Sequence, residues 1–223
     1  MIIKSKLLLL PGDGIGPEIC SALKLTINSL NKISKFDFDV SEDLIGGSSY
    51  DKHKHPITEK VIEKARNVDA VLLGAVGDKK YESLPFEKRP ERGLLKLRKD
   101  LDLFANIRPA KVFDALSETS SLKSEIVKGM DVVVLRELTG GIYFGEPRGI
   151  EMMGDGQRKG INTEVYFSKE IIRLGRVGFE IASMRNKLVH SVEKANVMES
   201  GVLWREEISN LKETEYPNIE LQN

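Results

Sequence analysis

The chain has 223 residues, enough to bury the core of one large domain or of two small ones. It carries 34 lysines and arginines against 34 aspartates and glutamates, so no overall charge draws it to nucleic acid or to a membrane surface. The single cysteine, Cys20, excludes an intrachain disulfide and is typical of a reducing compartment. The longest apolar run near the start, Leu7–Leu10, is too short for a signal sequence or a membrane span. These numbers predict a soluble cytoplasmic protein.

Segments typical of strands alternate with segments typical of helices in the first half, which predicts an α/β fold. The first strand meets Pro11, and Pro17 suits the first turn of the helix that follows. Thr58 is the expected cap of a later helix. In chain order we predict a strand at Lys6–Leu10, a helix ending near Ile33, a strand at Phe36–Val40, a helix at Pro56–Ala65, a strand at Ala70–Gly74, a helix at Gly93–Leu101 and an extended segment at Phe104–Phe113.

A change of pattern near Leu103 predicts two domains, residues 1–103 and 104–223. The clearest strand of the second half is Met130–Leu135, which we expect to be parallel to its neighbours. Residues 143–167 are rich in glycine and lack a helical period, which predicts an extended arm. The other predicted elements are a helix at Leu122–Lys128, short arm strands at Ile142–Phe144 and Thr163–Phe167, a helix capped by Ser168, a strand at Leu188–Val192 and a helix at Val197–Leu211.

The segment Pro11–Glu18, PGDGIGPE, follows a strand and precedes a helix. Backbone N–H groups at such a helix start can receive a phosphate. The last glycine of the dinucleotide-binding fingerprint is absent, however, because Pro17 and Glu18 stand there. Asp13 would in addition repel a phosphate. A tight strand-to-helix turn explains these glycines equally well, and both interpretations stay open.

Three arginines, Arg98, Arg108 and Arg136, lie at the ends of apolar segments or among alternating apolar residues. This arrangement suits bidentate binding of a small polyanion. Asn106 and Arg108 share one face of an extended segment. Arg136 directly follows Val132–Leu135, at the carboxyl end of a strand, where open α/β sheets bind ligands. Arg98 lies four residues after Leu94, so both face the same side of a helix. The alternative is that these arginines are surface residues neutralised by nearby acids, namely Glu91, Asp100, Asp102 and Glu137.

Two further residues are candidates for proton transfer. Tyr143 lies among glycines that permit close approach of a ligand, and its phenol would donate a proton. Lys194 follows a strand and would act as a base if its surroundings lowered its pKa. A packed arm residue and a solvated loop lysine are the structural alternatives. The histidines have no metal-ligand spacing and receive no role: His53, His55 and His190.

Six blocks together resemble the isocitrate/isopropylmalate dehydrogenase family, and within it the isopropylmalate dehydrogenases. The blocks are LPGDGIGPE, SEDLIGGSSYD, LLGAVG, RPERGLLKLRKDLDLFANIRP, VLRELTGGIYFGEPRG and SVEKANVMESGVLWRE, which are spread along essentially the whole chain. The resemblance implies an α/β two-domain fold. Both domains would be incomplete here. The first would lie on the cofactor side, and the second would carry a dimerisation arm at about residues 143–167.

The activity implied is oxidative decarboxylation of 3-isopropylmalate to 2-oxoisocaproate in leucine biosynthesis. The cofactors would be NAD and Mg²⁺ or Mn²⁺, in a cytoplasmic homodimer. Tyr143 and Lys194 would be the catalytic acid and base, with Lys194 serving a neighbouring subunit's site. The isopropyl group would contact Leu94 and Leu95, where isocitrate-type relatives carry a serine and an asparagine. Substrate-binding residues would be Arg98, Arg108, Arg136, Leu94, Leu95, Asn196 and Val197, and cofactor-binding residues Ile15, Gly77, Asp78 and Glu91.

The chain departs from the family pattern in two places. Asp78–Tyr81 reads DKKY where the family usually has Gly-Pro-Lys-Trp. Family chains also continue past the position of Asn223 into metal-binding aspartates and an adenosine-binding segment. We therefore expect a C-terminally truncated chain that holds no metal ligands and is inactive, or nearly so, by itself. The alternatives are a related dehydrogenase of another substituted malate or of isocitrate, and a non-catalytic fragment that acts only as a dimerisation partner.

Overall fold

A computed structural model describes residues 2–223, which divide into two compact units, one ending at Asp102 and the other spanning Leu103–Asn223. The fold is α/β, as the alternation of elements predicted. No helix within residues 2–223 combines the length and the apolar character needed to cross a membrane.

The first unit is built on a parallel sheet of three strands in the order β2-β1-β3. Leu7–Leu10 are buried along β1 because helices cover both faces of the sheet. Leu8 and Leu10 pack with residues of α3 and α4, and α1 lies against the strands as well. The elements are β1 (Ile3–Gly12), α1 (Gly16–Ile33), β2 (Phe36–Glu42), α2 (Gly47–His53), α3 (Glu59–Arg66), β3 (Ala70–Ala75), short 3₁₀ turns at Lys79–Tyr81 and Phe86–Lys88, and α4 (Pro90–Asp100).

The second unit contains three two-stranded sheets and two long helices. Its core lies between α6 and α7, where Phe179 stacks on Tyr216 and packs with Ile171 and Ile208. The elements are β4 (Ala105–Lys111), α5 (Ser124–Val127), β5 (Asp131–Glu137), β6 (Gly145–Met152), β7 (Arg158–Thr163), α6 (Ser168–Ser183), β8 (Leu188–His190), α7 (Glu199–Glu215) and β9 (Glu220–Gln222), with 3₁₀ turns at Asp114–Thr119 and Gly141–Tyr143.

The expectation that β5 is parallel to its neighbours was wrong. β5 pairs antiparallel with β4, with Ala105 opposite Glu137 and Lys111 opposite Asp131. The connection between them holds only a 3₁₀ turn and the four-residue helix α5. A parallel return needs a crossover of a dozen or more residues that packs on the sheet, and this connection forms no such helix.

The strand positions within the arm were also wrong. Residues Gly141–Tyr143 form a 3₁₀ turn, and the hairpin is made by β6 and β7, which turn around Gly156. A register shift between Gly145 and Gly149 interrupts the pairing. Glycine-rich strands specify their register weakly, so sequence alone could not place the paired residues.

Two predicted helix caps differ in detail. Ser168 is the first residue of α6 rather than its cap, and Glu170 accepts the N–H of Phe167 at 3.0 Å instead. Thr58 does occupy the cap position of α3, but its side chain makes no capping hydrogen bond there. The helices therefore begin close to where the sequence predicted, by a different pattern of hydrogen bonds.

Candidate functional site

The glycine-rich segment after β1 is a tightly packed turn. The Asp13 N–H donates to the carbonyl of Ala75 at 2.8 Å, and the Gly16 N–H donates to the carbonyl of Asp13 at 2.9 Å. A Cβ atom at Gly16 would lie 1.9 Å from the carbonyl oxygen of Pro11. The close approach of three backbone segments thus requires glycine here whether or not a phosphate binds. This favours a tight strand-to-helix turn as the explanation of the motif.

The four residues predicted to bind a cofactor gather at the carboxyl edge of this sheet. A Cβ at Gly77, which has a φ of 113°, would lie 2.8 Å from Oε1 of Glu91. A Cβ at Gly14 would likewise lie 3.7 Å from the Asp78 carboxylate. Ile15 is 67% exposed beside that turn. The structure therefore forms one small surface from residues far apart in the sequence.

One face of α4 carries the predicted substrate residues of the first unit. Glu91, Leu94, Leu95 and Arg98 are spaced by three and four residues, so their side chains follow one another along the helix. The two leucines are half-buried, while Leu97 on the other side is buried in the core. Because Glu91 also touches Gly77, this face continues directly from the cofactor candidates.

The DKKY segment is anchored to α2 by an aromatic residue. The Tyr81 hydroxyl donates to the Asp51 carboxylate at 2.8 Å, and Lys80 Nζ lies 3.4 Å from the same oxygen. A Cβ at Gly47 would lie 1.8 Å from the Tyr81 ring, which shows how closely the ring packs there. The Asp78 side chain accepts the Lys80 N–H at 2.9 Å, which fixes the start of the turn. The departure from the family pattern thus still gives an ordered loop.

The Tyr81→Phe substitution should raise the pKa of Asp51. The Tyr81 hydrogen bond is the largest cause that lowers the pKa of this carboxyl, and Lys80 adds to it. A lowered pKa in the folded state gives a stabilisation that is present at neutral pH and is lost as the pH falls through that pKa. NMR titration should show the pKa of Asp51 moving up toward its ordinary value in Tyr81→Phe. Tyr50→Phe, which alters a ring packed edge-on against Tyr81, should leave the pKa of Asp51 unchanged.

In the second unit, cross-strand pairing gathers the polar residues of β4 and β5. Asn106 lies directly opposite Arg136, and Arg108 is two residues along the same face. The Arg108 Nε donates to Oδ1 of Asn106 at 2.5 Å. The Arg136 guanidinium lies 5.1 Å from the centre of the Tyr143 ring. The arginines and the candidate acid therefore come together, because an antiparallel partner places the start of β4 beside the end of β5.

Glu137, which we considered as a neutralising partner for the arginines, lies on the opposite face of β5. Its side chain is 1% exposed and lies 3.4 Å from the Arg173 guanidinium. It accepts hydrogen bonds from the N–H groups of Thr139 and Gly140 at 2.8 and 2.6 Å, and from the Thr139 hydroxyl at 2.7 Å. Glu137 therefore fixes the turn that leads to Tyr143.

Lys194 lies in the loop before α7, together with Asn196 and Val197. All three are exposed. The Lys194 carbonyl accepts the N–H groups of Val197 and Met198 at 3.2 and 3.0 Å. A Cβ at Gly201 would lie 2.7 Å from the Lys194 carbonyl carbon, so this glycine lets α7 pack on the loop. Within the part of the chain that the structure describes, Tyr143 and Lys194 share no hydrogen bond.

Sequence reasoning missed Asp13 and Glu137 as organising residues. Both are buried carboxylates that accept backbone N–H groups. A carboxylate at the end of a strand and within three residues of a glycine was the only local signal. It does not reveal which distant N–H groups the carboxylate binds.

Two other features lie apart from these residues. A cavity of about 570 Å³ lies among β5, α6 and β8, and none of the predicted site residues lines it. Among residues 2–223, no group of three His, Cys, Asp or Glu side chains is close enough to hold a metal ion.

Known proteins similar to this chain share both its sequence and its fold. It is 54% identical to the 3-isopropylmalate dehydrogenase of Pelagibacter ubique over all of the chain and 60% of that protein. The identity is 53% to the enzyme of that name from Rhodospirillum rubrum, with 100% and 60% of the two chains covered. The chain thus spans about 60% of the length of these curated relatives.

Solved structures agree with the sequence comparison. The isocitrate dehydrogenase of Methylococcus capsulatus has a TM-score of 0.78 and 25% identity, covering 98% of this chain and 59% of that one. A β-decarboxylating dehydrogenase of Thermococcus kodakarensis has a TM-score of 0.68 and 25% identity, with 98% and 57% of the two chains covered. The family model for isocitrate/isopropylmalate dehydrogenases matches residues 6–223. The chain belongs to the isocitrate/isopropylmalate dehydrogenase family.

Proposed function

We propose that these residues serve the NAD-dependent oxidative decarboxylation of 3-isopropylmalate to 2-oxoisocaproate, a step of leucine biosynthesis in the cytoplasm. The observation that carries the proposal is the face of α4. There the half-buried pair Leu94 and Leu95 lies between Glu91 and Arg98 along one side of the helix. Names of relatives that are 54% identical support the same substrate.

The apolar pair selects the substituent of the malate. Leu94 and Leu95 offer no hydrogen-bond donor, so a carboxylate buried against them would lose several kcal/mol of hydration free energy. An isopropyl group there would gain about 0.8 kcal/mol for each buried methylene equivalent. Arg98, Arg108 and Arg136 would bind the two malate carboxylates by charge-assisted hydrogen bonds.

Proton transfer would fall to Lys194 and Tyr143. Lys194 Nζ would accept the proton of the C2 hydroxyl of a substrate bound in the neighbouring subunit's site. Gly77 and Glu91 would hold the nicotinamide end of NAD, and the cofactor, when bound, would supply the acceptor for the C2 hydride. After CO₂ leaves, the Tyr143 hydroxyl would protonate the enolate carbon, with Arg136 stacked on the ring to hold its orientation.

A divalent cation, Mg²⁺ or Mn²⁺, enters this proposal through the family alone. The side chains of residues 2–223 do not form a set that fits such an ion. We therefore assign it no ligand in this chain and route no step through it.

A homodimer is also part of the proposal. The arm exposes apolar side chains on β6 and in the turn that follows it, and α7 exposes Val202, as expected of a surface that a partner covers. The same observation favours the second candidate function, a non-catalytic fragment that associates with another chain of the family. The exposed arm residues are Ile150, Met152 and Met153.

Substitution of both Leu94 and Leu95 by serine tests the substrate. Calorimetric titration with 3-isopropylmalate should show the Kd rising by about tenfold to a hundredfold, because the apolar contact for the branch is lost. The Kd for unsubstituted malate should stay the same.

A matched control is Leu25→Ser, which alters an exposed leucine of α1. It should change neither Kd. An equal loss for both ligands in the double variant would count against the isopropyl assignment. A wild-type chain that binds neither ligand, yet co-purifies with a longer family member, would favour the dimerisation partner.

A further inference from the structure

Asp13 is a buried carboxylate that joins three separate segments of the first unit. The residue is only 6% exposed. Its Oδ2 accepts the N–H of Gly47 at 2.6 Å, while its Oδ1 accepts the N–H groups of Gly77 and Asp78, both at 2.8 Å. These donors lie 34, 64 and 65 residues away along the chain. One side chain thus connects the turn after β1, the start of α2 and the loop after β3.

The arrangement on Oδ1 has the form of an anion-binding site. Two successive backbone N–H groups that point at one oxygen make a small concavity with positive partial charge. Here the chain's own carboxylate fills it. Asp13 is itself held in place, because its N–H donates to the carbonyl of Ala75 at the end of β3. A Cβ at Gly46 would lie 2.5 Å from Oδ2, so the carboxylate packs closely against the backbone there.

The loop that Asp13 holds is the one that carries the cofactor candidates. Gly77 lies against the Glu91 carboxylate, and Asp78 lies beside the turn of Gly14 and Ile15. The N–H groups of Gly77 and Asp78 point toward Asp13, and a Cβ at Gly77 would point toward the Glu91 carboxylate. A rotation of either peptide would break a charge-assisted hydrogen bond and move Gly77 relative to Glu91.

We propose that Asp13 is a positioning residue that presents Gly77, Asp78 and Glu91 to the nicotinamide cofactor. This inference rests on the proposed function, since it assumes that NAD binds at this loop. Asp13 does not touch the cofactor. Its carboxylate acts through the two amides that it holds, in a role that a neutral side chain cannot reproduce.

Asp13→Asn separates this role from a simple effect of charge. Asparagine has one acceptor oxygen, so its amide NH₂ must face either Gly47 or the pair Gly77 and Asp78, all of which are donors. If Asp13 acted only through its negative charge, its removal would favour the anionic cofactor and lower the Kd for NAD. A positioning role requires the opposite result.

The experiment combines amide hydrogen exchange with NAD titration of the whole 223-residue chain. In Asp13→Asn, we expect exchange at Gly77 and Asp78 to accelerate by about tenfold or more, and the Kd for NAD to rise by about tenfold. The control is Asp69→Asn, which also removes a charge from a carboxylate that accepts a backbone N–H, that of Lys6 at 2.7 Å. It should leave both quantities unchanged.

NAD binding by the wild-type chain separates failure of the positioning role from failure of the proposed function. If wild-type chain binds NAD and Asp13→Asn binds it equally well or better, the positioning role is overturned while the proposed function stands. If the wild-type chain binds no NAD, the proposed cofactor fails and the positioning role fails with it.

If Asp13→Asn does not fold, NMR on the wild-type chain still tests the positioning role. NMR couplings across the hydrogen bonds from the Gly77 and Asp78 nitrogens to the Asp13 carboxyl carbon should be observable. The resonances of both amides should shift when NAD is added. Absent couplings, or amides that do not respond while NAD binds, would contradict the proposal.

Discussion

Gly16→Ala is expected to destabilise the first unit by about 3 kcal/mol, which is the upper range for forcing added atoms into a packed site. The new Cβ would lie 1.9 Å from the Pro11 carbonyl oxygen and 2.6 Å from the Ala75 nitrogen. Both are backbone atoms of paired strands, so neither can move away as a flexible side chain would. The urea dependence of amide exchange at Leu8–Leu10 would measure the free energy of unfolding of this unit.

Gly14→Ala is the matched control, two residues away in the same turn. Its Cβ would meet nothing closer than 3.7 Å, although its φ of 56° lies in the left-handed region. We expect a cost of only about 1 kcal/mol from the backbone conformation. Equal losses for the two variants would show that conformation, rather than contact between backbone segments, accounts for the glycines.

Glu137→Ala should cost the second unit about 3 kcal/mol, the lower end of the range for breaking a buried ion pair. The substitution removes the acceptor of two backbone N–H groups and of the Thr139 hydroxyl, and removes the carboxylate beside Arg173. Chemical denaturation followed by the fluorescence of Trp204, the single tryptophan, would measure the change. The Tyr143 ring resonances should shift as well, because the turn that Glu137 fixes leads to that residue.

Glu151→Ala provides the comparison for this second variant. Glu151 lies on the arm, where its exposed carboxylate is 3.8 Å from Lys159 Nζ. Exposed pairs of this kind contribute less than about 1 kcal/mol, so its loss should be barely measurable. A Glu137→Ala variant as stable as Glu151→Ala would refute the organising role of Glu137.

The sequence pattern predicted an element correctly where its conformation depends on residues close by in the sequence. The apolar run Leu7–Leu10 is a buried strand, and Pro17 is in the first turn of α1, as predicted. Spacing along a helix also placed Leu94 and Arg98 on one face of α4, because residues three and four apart lie on the same side whatever packs against them. For these elements, propensity and tertiary packing favour the same conformation.

The sequence pattern gave wrong predictions where the conformation of a segment depends on the distant strand with which it pairs. Nothing within Val132–Val134 indicates whether its neighbour runs parallel or antiparallel, and the antiparallel register is what brings Arg136 opposite Asn106. The glycines of the arm are compatible with several registers, so the hairpin strands were predicted at the wrong residues. Pairing between segments distant in sequence depends on the whole fold.

The sequence by itself determined the α/β class, the alternation of strands and helices in the first unit, and the family. Periodicity, turn residues and short motifs depend on neighbours within about one turn or one strand, so the sequence is enough to recognise them. Only the tertiary structure decided the roles of Asp13 and Glu137. A buried carboxylate must find donors wherever the fold brings them, and those of Asp13 come from residues 34 to 65 positions away.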